Sequence, residues 1–375
     1  MVLLFEQVNF IIGDNMSRTV FNEKNTGHIT KQYPMFFGDS LGLLDTVNIV
    51  NKEIEDLKEK QRSFRWYPTE INLSQDKQDM LTAPKEIVDL MNKTISWQHL
   101  TDSITGRSIG AMFLPHVTNP QAEVMISEWS NIEFVHGESY IHIVKQTNHD
   151  PDKAILDTYA NLNILNRSQD LINTFDQLYN MSVDTPLEEK KRILAKVLSV
   201  VMTMECVSFM ASFAVTFAIG KQGYFQGIAE TVSMIARDEL LHGRMSYELI
   251  KATRDVDGWK DIYSDVADDI SDIIHSITRN ESEWNQYLLS EGRELRNLPL
   301  ETLNDTNLYF HNFVCSLIGI ENKFKIVAEN PCTFMDKYID RSLLQFAPQE
   351  IQNGSYRQAS VVDDLSDDID LDFNF

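Results

Sequence analysis

Two Glu-x-x-His pairs stand in the chain: Glu133 with His136 in EFVHGESYIHI, and Glu239 with His242 in SMIARDELLHG. Residues three apart on a helix share a face, so each pair offers a carboxylate and an imidazole together, which suits metal ligation or acid–base chemistry. With 25 Glu and 9 His in 375 residues, 25 × 9 / 375 gives roughly 0.6 such pairs by composition alone, so one pair carries little weight. The surroundings of the two pairs add more. Trp129, Glu133, His136, Tyr140 and Ile143 follow steps of four, three, four and three along one helical face. Val232, Ile235, Glu239 and His242 share another, with Asp238 beside them. Asp102, in WQHLTDSITGRS, continues the apolar stripe of Met91, Ile95 and Gln98. Glu205 lies inside the almost wholly apolar run from Val197 to Ile219, stacked with Phe209, Ser212, Phe213 and Thr216.

Four carboxylates and two imidazoles buried unpaired would cost several kcal/mol each, comparable with the whole stability of a domain. A dinuclear metal site neutralises them. Core sites of ferritin-like bundles draw one carboxylate from each of two helices and a Glu-x-x-His pair from each of two more. Those roles fall to Asp102 and Glu205, then to Glu133 with His136 and Glu239 with His242. Oxygen and imidazole ligands suit iron or manganese. Read singly, Tyr140 is a hydrogen-bonded core tyrosine, Trp66 a packing residue and Cys206 a small buried hydrophobe. His99, His142 and His149 read as surface or satisfied histidines.

The elements that must carry these faces are helical nearly throughout. Glycine is scarce, prolines fall mostly between periodic segments, and neither a βαβ unit nor a Gly-rich phosphate loop is present. The periodicity predicts helices over 44–61, 84–107, 120–146, 151–179, 186–221, 226–254, 257–290 and 300–327. Pro84, Pro120, Pro151 and Pro186 open four of them, where a missing N–H costs little. The expected fold is an all-α, ferritin-like helical bundle with the metal site in its core. Residues 41–345 form its one domain, after an N-terminal arm (1–40) and before a tail (346–375). The first fifteen residues read as an upstream extension, because MSRTVFN offers a second start at Met16.

Net charge is −23 with the histidines neutral, which repels phosphate backbones and anionic membranes and sets aside nucleic-acid binding. The run 197–219 is long enough to span a bilayer, but Glu205 inside it points to a buried core helix. Residues 1–12 fail as a signal peptide, lacking a basic start and a small-residue cleavage site. Cys206, Cys315 and Cys332 form no C-x-x-C pair and read as buried thiols of a reducing compartment, so a cytoplasmic protein is expected.

The order Trp66 (SFRWYP), Asp102, Glu133-His136-Tyr140, Glu205 (ECVSFMASFAVTF), Asp238-Glu239-His242 (IARDELLH) and Tyr356 (APQEIQNGSY) resembles the radical-generating small subunit of class I ribonucleotide reductase. Met35 to Gly38 (MFFG) belongs to the same pattern, and MSRTVFN resembles the start of bacterial and T-even-type phage versions. Arg65 stands where an aromatic is common, and 179–194 is short for the β-hairpin that some bacterial members insert.

The resemblance implies a μ-oxo-bridged diiron centre, two Fe ions per chain with manganese as an option, which reacts with O2 and oxidises Tyr140 to a stable tyrosyl radical. Phe209, Phe213 and Ile235 would line the radical. Trp66, Asp238 and His136 would carry the oxidising equivalent out, and Tyr356 would relay it to the catalytic large subunit, where ribonucleotides become deoxyribonucleotides. A homodimer, an electron donor and a bacterial or phage-infected cytoplasm are implied as well. Residues 361–375 set Leu365, Ile369, Leu371, Phe373 and Phe375 among six Asp, a composition fitted to anchoring in a groove on the large subunit. The alternatives are another ferritin-like diiron oxidase (a desaturase, hydroxylase or ligand-binding oxidase), which has no reason to keep Tyr140, Trp66 and Tyr356 together, and a storage or structural bundle.

Overall fold

A computed structural model describes residues 18–339. Residues 1–15, Tyr356 and the acidic tail lie outside the described residues. Among the described residues the chain is helical, with one isolated bridge between Phe36 and Val117. The helices used below are α1 (Lys52–Ser63), α2 (Ser74–Thr82), α3 (Lys85–Phe113), α4 (Pro120–Thr147), α5 (Leu187–Lys221), α6 (Gln226–Arg254), α7 (Ala267–Leu288) and α8 (Leu300–Ile318).

Local chemistry sets the ends of these helices. Asn119 caps α4 by accepting from the amides of Gln121 and Ala122, and Pro120 supplies the first helical position. Asn51 caps α1 in the same way, accepting from Ile54. Gly319, at φ 83°, ends α8 in the left-handed conformation, short of the expected residue 327.

Two expected helices are broken. The segment 151–179 divides into Pro151–Ala160, Leu162–Arg167 and Gln169–Tyr179; the first break comes where Asn161 leaves helical geometry and turns its side chain to the amides of Asn163 and Ile164, and the second falls at Ser168. The segment 257–290 divides at Val266 into Lys260–Asp265 and α7.

Helix α2 was not expected, and it has a clear purpose. Its Asp76 and Asp79 accept from the amides of Ile228 and Phe225, both at 2.8 Å, and so cap α6 from outside that helix. Phe225 itself has a positive φ of 53°, which leaves α6 without a local cap.

One hydrophobic cluster runs from Met35 to Met335. Helix α5 lies at its centre, and 89% of its apolar window is buried, so its hydropathy serves a protein core. Within it, Met204–Phe209 is wound as a π-helix, the local bulge that often marks functional sites. The three cysteines are buried and unpaired.

Candidate metal centre

Four helices converge with the expected faces inward. Helix α3 brings Asp102, α4 brings Glu133, His136 and Tyr140, the π segment of α5 brings Glu205, and α6 brings Asp238, Glu239 and His242. Each of these eight side chains is at most 1% exposed.

Glu133, His136, Glu239 and His242 each bring a ligand atom within 4.8 Å of the others. His242 Nδ1 lies 2.8 Å from Glu133 Oε1 and 2.8 Å from Glu239 Oε2. His136 Nδ1 lies 3.0 Å from Glu239 Oε1 and 3.5 Å from Glu133 Oε2. Each glutamate thus touches both imidazoles.

The outer nitrogens are anchored: His136 Nε2 is 3.2 Å from Asp238 Oδ2, and His242 Nε2 is 3.1 Å from Gln61 Oε1. Both anchors are acceptors, so Nε2–H donates outward and Nδ1 faces the carboxylates. Metal-ligating histidines are oriented in this way. Trp129 Nε1–H donates to Glu133 Oε1 at 2.7 Å and holds that carboxylate in place.

The electrostatics call for more positive charge than the protein supplies. Burial opposes the imidazolium form of His136, yet Glu239, Asp238 and Glu133 raise its pKa well above the ordinary value. His242 behaves alike, with burial outweighed by Glu133 and Glu239 so that it rises to about 9. Burial works against Glu133 as an anion, but His242 and His136 hold it down at about 2. Asp102 and Glu205 lie outside the tightest group of four but feel its field. Burial first, and then Glu239, push both carboxyls well above the usual range.

Both oxygens of Asp102 and of Glu205, with Glu133 Oε2 and Glu239 Oε1, have no hydrogen-bond partner. Unpartnered carboxylate oxygens beside inward-facing imidazole nitrogens, which would give up their protons to a cation, are the donor set that iron or manganese takes. The residues present therefore fit a dinuclear centre of such metals.

Tyr140 is fully buried, and its hydroxyl faces Asp102 without completing a hydrogen bond of normal geometry. Burial, then Asp102 and Glu239, raise its phenol pKa well above the ordinary value. Phe209, Phe213 and Ile235 are fully buried as well. The Phe209 and Phe213 rings stack at 5.6 Å, and Phe209 also meets Trp97 at 5.6 Å.

Trp66 Nε1–H donates to Asp238 Oδ2 at 2.8 Å, on the same oxygen that His136 Nε2 reaches, and its ring stacks on His136 at 6.1 Å. The structure brings Trp66, Asp238 and His136 into one hydrogen-bonded row. Gln61 completes it by donating from Nε2 to Asp238 Oδ1 at 2.9 Å while accepting from His242.

Sequence reasoning missed Gln61. The available signal was its place on the buried stripe of Ile54, Leu57 and Lys58, at helical spacing on α1. A neutral amide there reads as an edge residue until its partners are seen.

The family model for "Ribonucleotide reductase, small chain" matches residues 44–331. The ribonucleoside-diphosphate reductase subunit beta of Buchnera aphidicola is 29% identical over 372 residues, covering 94% of this chain and 98% of that protein. The corresponding subunit of Enterobacteria phage T4 is 26% identical over 392 residues, covering 95% and 98%. Among solved structures, the ribonucleotide reductase R2 subunit from Clostridium botulinum superposes with a TM-score of 0.77 at 17% identity, covering 86% of this chain and 98% of that one. The dimanganese(II)-NrdF of Streptococcus sanguinis gives 0.64 at 18%, covering 81% and 100%. These two likenesses establish the fold, and the family match selects among the diiron-protein alternatives that the residues alone left open. With a match across most of its length and a buried carboxylate and histidine centre at the expected positions, the chain belongs to the ribonucleotide reductase small-chain family.

Proposed function

We propose that this chain is the radical-generating subunit of a ribonucleoside-diphosphate reductase, storing an oxidising equivalent on Tyr140 for a large catalytic subunit. The observation that carries the reading is the set of inward-turned imidazoles and unpartnered carboxylate oxygens, with the Tyr140 hydroxyl facing Asp102. Asp102, Glu133, His136, Glu205, Glu239 and His242 would hold two metal ions, iron by preference and manganese as the second option. Bound there, the metals would couple the reduction of O2, with an external electron donor, to the one-electron oxidation of Tyr140.

The chain's own residues do the rest. The Tyr140 hydroxyl faces Asp102, whose carboxylate, ionised when it holds metal, would take up the proton that leaves as the tyrosine is oxidised. Burial of Tyr140 excludes water and slows reduction of the radical, and Phe209, Phe213 and Ile235 keep this part of the core apolar. Asp238 accepts from Trp66, His136 and Gln61, so a proton can shift along these bonds as an electron moves inward from Trp66. Tyr356 would connect this row to the large subunit, and residues 346–375 would dock there through the terminal apolar anchors. A homodimer in the bacterial or phage-infected cytoplasm completes the reading, with 41–345 as its single domain.

Metal analysis and electron paramagnetic resonance test it. Reconstituted protein is expected to hold two metal ions per chain and show a tyrosyl signal. Tyr140→Phe keeps the metal and loses the signal, whereas Glu239→Ala and His136→Ala lose metal. A tyrosyl signal that persists in Tyr140→Phe moves the radical elsewhere, and two tightly held ions in both ligand variants sink the assignment.

A further inference from the structure

We propose that His275, His311 and Cys315 form a second, mononuclear site for a thiophilic d10 cation, Zn(II) or Cu(I), sharing no ligand with the carboxylate centre. His275 lies on α7, and His311 and Cys315 lie one turn apart on α8. One nitrogen from each ring and the sulfur lie within 4.8 Å of one another, and all three residues are at most 2% exposed. Cys315 Sγ is 3.3 Å from His311 Nε2. Ligand atoms around a tetrahedral zinc with ordinary bond lengths sit about 3.5 Å apart, so a small shift admits the ion.

The hydrogen bonds assign the lone pairs. The Thr278 hydroxyl donates to Ile274 O at 3.0 Å, so its oxygen accepts from His311 Nδ1–H at 2.8 Å. That leaves the His311 Nε2 lone pair facing the thiol. His275 Nδ1–H donates to Ser271 O at 2.5 Å, and its Nε2 lone pair receives the Lys323 amide at 3.0 Å. Each imidazole is therefore fixed through Nδ1 with its other lone pair turned to a donor hydrogen, the outer anchoring that metal-bound histidines use. A cation on both rings displaces the Cys315 S–H proton and the Lys323 amide, and Lys323 sits in the segment after Gly319, outside any helix.

The Phe324 ring lies 5.2 Å from His275 and 5.1 Å from His311, closing the cluster on an apolar side. Burial holds His311 down at about 4 and lowers His275, so both rings are neutral as ligands must be. Burial pushes the Cys315 thiol up to about 12. Binding thus forms one metal–sulfur bond and releases one proton to solvent, and the apparent affinity weakens about tenfold for each pH unit lowered.

The test uses the full chain with its carboxylate centre already loaded with iron, titrated with Co(II). One further equivalent is expected to bring up a thiolate-to-cobalt charge-transfer band in the near ultraviolet, retained in Cys206→Ser and Cys332→Ser and lost in Cys315→Ser and His311→Gln. Zn(II) and, under anaerobic conditions, Cu(I) each displace the cobalt, and the ion that does so at lower free concentration is the preferred ligand. Circular dichroism of the variants before titration confirms folding, with Cys315→Ala as the replacement should Cys315→Ser unfold. No thiolate band at one added equivalent, or a band that survives the loss of Cys315, overturns the proposal.

Discussion

Replacing Arg167 by leucine probes how the bulge that carries Glu205 is held. The Arg167 guanidinium is buried, bonded to Glu281 through Nε at 2.9 Å and Nη2 at 2.5 Å, and its Nη2 also reaches Ser208 O at 3.2 Å. Ser208 belongs to the π segment, where i to i+5 pairing disturbs the regular ladder and leaves carbonyls to be satisfied from outside. The guanidinium lies 3.3 Å from the centre of the Trp97 ring and 4.9 Å from that of Trp284, and Trp97 in turn meets Phe209.

In Arg167→Leu the Glu281 carboxylate, 1% exposed, keeps its burial and loses its partner. Breaking a buried pair on one side costs about 3–5 kcal/mol. Glu281→Leu is expected to cost a similar amount by stranding the cation. The double variant removes both charges and forfeits only the ring contact, about 2 kcal/mol when desolvated, and part of the Ser208 hydrogen bond, about 1 kcal/mol. Its loss should therefore fall well below the sum of the two single losses. Urea unfolding of metal-free protein, followed by circular dichroism across the four-member cycle, measures this. Single losses below about 1 kcal/mol, or a double variant at the additive sum, would refute the reasoning. Loss of metal from Arg167→Leu under native conditions would further connect the anchor to the position of Glu205.

Three further outcomes follow from particular contacts. A Cβ at Gly243 would meet Cys206 Sγ at 2.5 Å, between the ligands Glu205 and His242, so Gly243→Ala should cost about 1–3 kcal/mol and lower metal stoichiometry. Adding Cys206→Ala should recover both, and normal metal content in Gly243→Ala alone would show that close approach is unimportant there. Asp238→Asn removes the charge shared by Trp66, His136 and Gln61. It should leave the tyrosyl signal of reconstituted protein in place while turnover with the large subunit falls at least a hundredfold, roughly the size of one positioned proton-transfer group. Turnover near wild type would reject the row as a route. Deletion of Leu371 to Phe375 should keep metal and radical yield but weaken large-subunit binding in calorimetry, and a peptide of the tail should compete with the full chain. Unchanged affinity would assign docking to another surface.

The six proposed ligands and Tyr140 were legible in the chain because a helix converts spacing into a face. Steps of three and four put Glu133, His136 and Tyr140 on one stripe, and a carboxylate on an otherwise apolar stripe declares a need for a cation. The apolar run around Glu205 likewise announced a core helix. Which faces meet was not legible, since that depends on contacts between residues far apart in the chain. Gln61 gains its meaning only when α1 lays it between Asp238 and His242. Asp76 and Asp79 look like ordinary surface acids until they cap α6, some 150 positions later. The breaks at Asn161 and Val266 escaped because periodicity continues across a kink, and at Asn161 the cap that makes the kink is a choice between competing hydrogen bonds. The π turn at Glu205 and the Arg167 that satisfies it depend on packing from several helices at once. Local propensity carries no record of that packing, and only the tertiary structure decided it.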